Sequence, residues 1–192
     1  MEITNLSQLD PNGTYTYADY LLWKFKERVE LFKGKIFAMS PAPARVHQEV
    51  LRNLYDTFSR VFRGQKCKLY FAPFDVRLPQ KNGEVVTVVQ PDLCVICDLS
   101  KLDEKGCQGA PDLVVEIVSP GNSKREMKNK LNLYEEAGVQ EYWVVHPSEK
   151  AIFIYVLEAG KYRPLKPIFE GEIFASVLFP ELKVDADQVF EM

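Results

Sequence analysis

At 192 residues, 46% of them hydrophobic and 27% charged, the chain fits one domain rather than two, and this composition excludes disordered, collagen-like and disulfide-scaffold classes. Its 24 Lys and Arg against 27 Asp and Glu give a formal charge of -3. Chains that hold nucleic acid mainly through phosphate contacts tend to be basic, so a nucleic-acid function has to be local here. The opening MEITNLSQLDPNGTYTY lacks a basic start followed by an apolar run, and the longest apolar stretches are strand-sized. Neither a signal peptide nor a transmembrane helix is expected, and the default compartment is cytoplasmic.

Tyr17 to Glu27 (YADYLLWKFKE) has helical apolar spacing with a start near Thr16. VELFKGKIFAMSP reads as a hairpin turning at Lys33-Gly34. From His47 to Phe62, the residues Val50, Leu51, Leu54, Tyr55, Phe58, Val61 and Phe62 recur at helical spacing and predict a helix with one buried face, which His47 shares. KLYFAPFDVRLP and VVTVVQPDLCVICD, joined through Asn82-Gly83, predict a second hairpin. After the polar loop LSKLDEKGCQGA, PDLVVEIVSP is a third strand ending at Pro120. Ser123 to Ala137 reads as a helix capped by Asn122 or Ser123, with Met127, Leu131 and Tyr134 as its stripe and Gly138 as its stop. EYWVVHP is a fourth core strand; KAIFIYVLEAGKYRPLKP turns about Ala159-Gly160, and a short C-terminal tail follows. The core order is helix, strand, strand, strand, helix, strand. This is an α/β (α+β) chain with a central mixed sheet flanked by helices, expected as one domain over 1–192 with its core at about 45–147.

Cys94 and Cys97 form a C-x-x-C inside a strand, where odd spacing sends the two side chains to opposite faces and rules out a shared metal ion. With Cys67 and Cys107 solitary and two histidines in the chain, no zinc site is expected, and all four cysteines are read as free thiols.

Asp92, Asp112 and Glu116 lie within or at the mouth of strongly apolar strands, where an unpaired carboxylate is costly. If the second and third strands are antiparallel about a symmetric Leu99–Gly109 loop, residues pair when their numbers sum to about 208. Asp92 then faces Glu116, and Ile96 faces Asp112. Two carboxylates about 5 Å apart on one sheet face repel unless a cation lies between them, and an oxygen-only pair suits magnesium or manganese better than zinc. Pairing about Asn82-Gly83, at sums near 165, sets Asp75 opposite Gln90. Asp92 and Asp112, each following a proline, also read as residues satisfying local backbone donors. Lys130 falls on the edge of the following helix's inward stripe, where it either snorkels or reaches the carboxylates; Lys124 and Lys128 fall further round.

Pro91-Asp92, PDLVVEIVSP, Lys130 to Tyr134 and AGVQEYWVVHP together resemble the bacterial putative restriction endonuclease family, a branch of the PD-(D/E)XK nuclease superfamily. The resemblance spans nearly the whole chain and implies an αβββαβ restriction-endonuclease-like core with one or two divalent metal ions, Mg2+ or Mn2+. It implies that Asp92 and Glu116 are metal ligands and that Lys130 replaces the lysine the superfamily pattern places at Val118. It also places Glu30 and His47 at the site edge; the strand register adds Asp75, the apolar strand mouth adds Asp112, and the helix stripe adds Tyr134 as further site-edge candidates. The family's usual Asp in the fourth strand is His146 here. The implied function is metal-dependent endonucleolytic hydrolysis of DNA, with a homodimer as partner state; the charge of -3 adds the expectation that DNA binding is weak and confined to a local basic rim of Lys124, Arg125 and Lys128. The alternatives are an inactive nuclease-fold scaffold and a metal-dependent hydrolase of a small phosphorylated molecule; a two-carboxylate glycosidase leaves Lys130 without a role.

Overall fold

The computed structural model describes residues 2–39, 43–119 and 124–192, with the backbone alone for Lys124 and Arg125. The expected caps Asn122 and Ser123 lie outside the described residues. Where the sequence predicts a helix over Tyr17–Glu27, only α1 (Tyr17–Tyr20) forms, capped by Thr16. Its aromatic neighbours are drawn into a cluster in which Trp23 stacks on Phe25 and packs against Tyr15 and Tyr20, so tertiary packing overrides helical spacing. The hairpin β1 (Val29–Phe32) and β2 (Lys35–Ala38) forms as expected. Lys33 and Gly34 both take positive φ, 48° and 79°, the pair of left-handed residues that a two-residue turn of this hand requires.

The long helix is α2 (Arg45–Phe62). The predicted second hairpin is real but folded across a corner. Its first arm divides into β3 (Lys68–Phe71) and β4 (Val76–Pro79), its second into β5 (Val85–Val89) and β6 (Leu93–Ile96). The polar loop beyond it is not structureless: it holds β7 (Leu102–Asp103) and β8 (Gly106–Gln108), and β8 pairs in parallel with β4. Gly106, at φ 123°, lies so close to the Asp75 carbonyl that an added Cβ would collide with its oxygen. No other residue type permits that approach.

Next come β9 (Leu113–Ile117), α3 (Lys124–Ala137) and β10 (Glu141–His146), followed by the hairpin β11 (Ala151–Glu158) and β12 (Lys161–Pro164). The expected C-terminal tail is instead structured as β13 (Ile168–Phe169), β14 (Ile173–Ala175), β15 (Lys183–Asp185) and α4 (Ala186–Phe190). Its Leu182, Val184, Ala186, Val189 and Phe190 enter the same core as α2. Buried Glu141 fastens this segment: its carboxylate accepts from Trp143 Nε1, Ser176 Oγ and Leu178 N at 2.7–2.8 Å.

Among the described residues, one sheet runs β2-β1-β5-β4-β8-β7 and the other β12-β11-β10-β9-β6-β3, with β13 on β11 and β14 paired to β15. The second sheet is mixed, because β9 and β10 are parallel across the α3 crossover while their neighbours are antiparallel. Strand alternation divides its side chains between two cores. Leu93, Val95, Leu113, Val115, Trp143 and Val145 face α2, against Val50, Leu54 and Phe58. Cys94, Ile96, Val114, Tyr142 and Val144 face α3, against Leu133 and Tyr134. Each fully buried side chain of this kind contributes about 1.5–3 kcal/mol. Glu116, two residues beyond Val114, is thereby assigned to the α3 face.

Cys94 and Cys97 do point to opposite cores, and Cys94 and Cys107 are free and buried. The expectation of four free thiols is corrected: Cys67 and Cys97 form a disulfide. The β4–β5 pairs next to the corner sum to 165 (Val76 with Val89, Arg77 with Val88), after a register shift from 164 at Pro79 with Val85 nearer the turn, but pairs in β3–β6 sum to 164 (Phe71 with Leu93), because the corner holds four residues on one arm (72–75) and three on the other (90–92). That one-residue shift brings Cys67 opposite Cys97. Among the described residues no helix is long and apolar enough to cross a membrane.

Candidate active site

The observed register of β6 and β9 pairs Leu93 with Val115 and Cys94 with Val114, the sum of 208 read from the sequence. One step further along, Asp92 stands at the corner between the sheets, and its Oδ2 accepts the Ile117 backbone N–H at 2.7 Å. His47, in the first turns of α2 and 8% exposed, places Nε2 3.3 Å from the same oxygen. Its Nδ1 is buried and has no hydrogen-bond partner among the described residues.

Glu116 receives two donors on Oε1: Lys130 Nζ at 2.9 Å and Tyr134 OH at 2.7 Å. Lys130 and Tyr134 are four apart on α3 and so share the face that covers the sheet. Lys130 Nζ also lies 3.4 Å from Oε1 of Glu30, a buried β1 residue that accepts the Gln90 N–H at 2.9 Å. Thus Glu30, Asp92, Glu116 and Lys130 line one cleft of about 380 Å³, together with His47 and Gln90.

Burial pushes the Glu116 carboxyl up to about 7, and the Asp92 and Glu30 charges act in the same direction, against Lys130 and Tyr134. For Lys130, burial would lower the pKa, but the charges of Glu116 and Glu30 more than offset it and raise the ammonium above its ordinary value. Burial and the same two carboxylates hold the Tyr134 hydroxyl well above its ordinary range, so it stays a donor. Tyr134→Phe removes that bond from a buried carboxylate. It is expected to cost about 1–3 kcal/mol and to move the Glu116 titration higher, as read by urea unfolding at neutral pH and by carboxyl NMR shifts.

Asp75 and Asp112 are not brought to the cleft. Asp112 Oδ2 accepts the Cys97 N–H at 2.7 Å, the local backbone role its position after a proline suggested. Asp75 Oδ1 accepts from Gln90 Nε2 at 2.8 Å and Tyr20 OH at 3.4 Å. Of the expected rim, Lys128 is exposed, and the side chains of Lys124 and Arg125 lie outside the described residues. Gln90 was not singled out as a site residue. It joins Glu30 through its backbone to Asp75 through its side chain, and only the β1–β5 pairing, remote in sequence, sets it there.

Among the described residues no three His, Cys, Asp or Glu side chains converge closely enough to enclose a metal ion. Magnesium is ordinarily held by one or two carboxylates with waters and substrate oxygens completing its shell. Asp92 and Glu116 fit that chemistry: both are oxygen donors, and with Glu30 they set three carboxyl groups against the one lysine of the described cleft lining.

The sequence profile of the Uma2 family, described as "Putative restriction endonuclease", matches residues 17–187. This chain belongs to that family. A relative described as "Uncharacterized protein slr1290", from Synechocystis sp. (strain ATCC 27184 / PCC 6803 / Kazusa), is 29% identical over 142 residues, covering 71% of this chain and 71% of its own. The crystal structure of a putative nuclease belonging to DUF820 from Anabaena variabilis ATCC 29413 superposes with a TM-score of 0.71 over 92% of this Uma2 chain and 97% of that one. At 19% identity the superposition establishes a shared fold. Family membership and fold together make the chain nuclease-like.

Proposed function

We propose that this Uma2 chain, acting as one domain over 1–192, is an endonuclease that hydrolyses DNA phosphodiester bonds with a magnesium or manganese ion held by Asp92 and Glu116. The observation that carries this reading is the convergence of Asp92, Glu116 and Lys130 in one cleft, from a sheet corner, a core strand and the covering helix. When bound, the ion supplies charge neutralisation at the scissile phosphate and acidifies a water. Lys130 keeps its proton and presents a fixed cation to a phosphoryl oxygen. Glu30 and Glu116 orient the ammonium, Tyr134 orients Glu116, and the Ile117 N–H fixes Asp92 beside its neighbour strand. A homodimer, one copy for each strand, would serve double-strand cleavage.

The test is cleavage of supercoiled plasmid and of single-stranded, duplex and branched oligonucleotides across a titration of magnesium and manganese. Products are expected only with the ion present and are lost on chelation, and the apparent ion affinity rises as pH passes through about 7 and levels off above it, once the Glu116 proton has left. Cleavage in excess chelator, or tight metal-independent binding to bulk DNA at physiological salt, overturns the reading. Metal binding without cleavage of any of these DNAs would favour the hydrolase of a small phosphorylated molecule, and neither metal binding nor cleavage would favour the scaffold.

A further inference from the structure

One wall of the cleft is a face of the β1–β2 hairpin, which the nuclease reading uses at Glu30 alone. The present inference rests on that reading and concerns its substrate. The ladder sets Glu30 opposite Phe37, and Arg28, whose carbonyl accepts the Met39 N–H, continues it by one step. Directly opposed residues share a sheet face, so Arg28, Glu30, Phe37 and Met39 stand together, and all four line the cleft.

Phe37 is 45% exposed. An edge-to-face contact with Phe32, centroids 5.8 Å apart, fixes the ring without covering it. Beside it, Arg28 donates from both Nε and Nη2 to Gln90 Oε1, at 3.1 and 2.6 Å. Gln90 is in turn anchored on Asp75, so the guanidinium is oriented by a hydrogen-bond chain, while its Nη1 has no partner among the described residues. Arg28 and Lys130 are the lysine and arginine side chains among the described cleft-lining residues.

The geometry points to a nucleotide subsite on this wall that takes one unpaired nucleotide of the substrate strand, its phosphate on Arg28 and its base stacked on Phe37. A guanidinium binds phosphate through directed N–H donors, and stacking on an aromatic ring accepts any base. A base inside a duplex cannot offer its face to such a ring, so the subsite selects single-stranded or splayed DNA. The charge agrees: the net charge of -3 supplies little of the long-range attraction that duplex backbones exert on basic proteins, whereas one arginine and one ring suffice locally.

Fluorescence anisotropy with a short fluorescein-labelled deoxyoligonucleotide, single-stranded or annealed, in calcium buffer tests this. The wild type is expected to bind the single strand more tightly than the duplex. Phe37→Ala weakens single-strand binding about fivefold to hundredfold, and Phe37→Trp retains it. Arg28→Ala weakens binding and lowers the slope of log affinity against log salt by about 0.7. Phe169→Ala, which removes a similarly exposed ring outside the described cleft lining, changes nothing. Equal affinity for duplex and single strand, or wild-type binding by Phe37→Ala, overturns the subsite even where plasmid cleavage and its metal dependence hold. Single-strand binding through Phe37 and Arg28 without cleavage by any divalent ion keeps the subsite and removes the nuclease reading.

Discussion

Glu116→Gln is expected to remove DNA cleavage while leaving a folded protein. The substitution keeps the side chain's shape and an acceptor for Lys130 and Tyr134, but it removes the charge that would hold the ion. Losing metal-borne charge stabilisation in the transition state is worth several kcal/mol, a rate loss on the order of a thousandfold or more. Isothermal titration with manganese should show weakened binding in parallel. Full activity in the Gln variant would sink the ligand assignment.

The same variant has a signature in metal-free stability. With its folded pKa near 7 against an ordinary 4.5, Glu116 holds a proton in the native state that the unfolded chain has released. Wild-type stability should therefore fall as pH rises from about 5 to about 7, by on the order of 3 kcal/mol. The Gln variant should lack that component of the fall, as urea unfolding across this range will show.

Lys130→Met is the second large effect. It leaves Glu30 and Glu116 in one cleft with no cation between them, and breaking a buried pair from one side costs about 3–5 kcal/mol. The loss should be greatest near pH 8 and should shrink toward pH 5, where Glu116 takes up a proton and the repulsion is relieved. In the wild type the opposite partner behaves conversely. The raised Lys130 pKa contributes stability that is fully present below its ordinary value near 10.5 and is lost only as pH rises through the folded pKa. Cleavage should fall on the order of hundredfold or more, as expected for a group orienting the reacting phosphate or water. A Met variant with wild-type unfolding at both pH values would show that Lys130 is only a snorkelling surface residue.

Where local patterns decide structure, the sequence was sufficient. The apolar spacing of α2, the turn residues Lys33-Gly34 and Asn82-Gly83, and the 208 register that sets Asp92 beside Glu116 are all short-range consequences of side-chain period and turn geometry. Glu116 was conspicuous because a carboxylate in PDLVVEIVSP has no cheap solution within its own strand. Glu30 and His47 were placed near the site by resemblance to the family and Lys130 by its helix spacing as well, and what each touches was not legible, since those contacts join β1, α2 and α3 across large sequence separations.

Two kinds of information belonged to the tertiary structure alone. The first is the corner that divides one hairpin between two sheets: a single extra residue on one arm changes the pairing sum from 165 to 164 and brings Cys67 to Cys97, which no local pattern could announce. The second is the fate of short segments. The Tyr17–Glu27 stretch keeps one turn of helix and yields the rest to an aromatic cluster, and the supposed tail from 168 onward became core, because elements of two to five residues are stabilised by what they pack against and carry too few positions to show a period. By itself, then, the sequence determined the family, the order of the core and the strand pair that carries Asp92 and Glu116. The fold alone decided that Glu30, Lys130 and Tyr134 close around Glu116 and that Arg28 and Phe37 share its cleft, because each of those contacts joins residues from different elements.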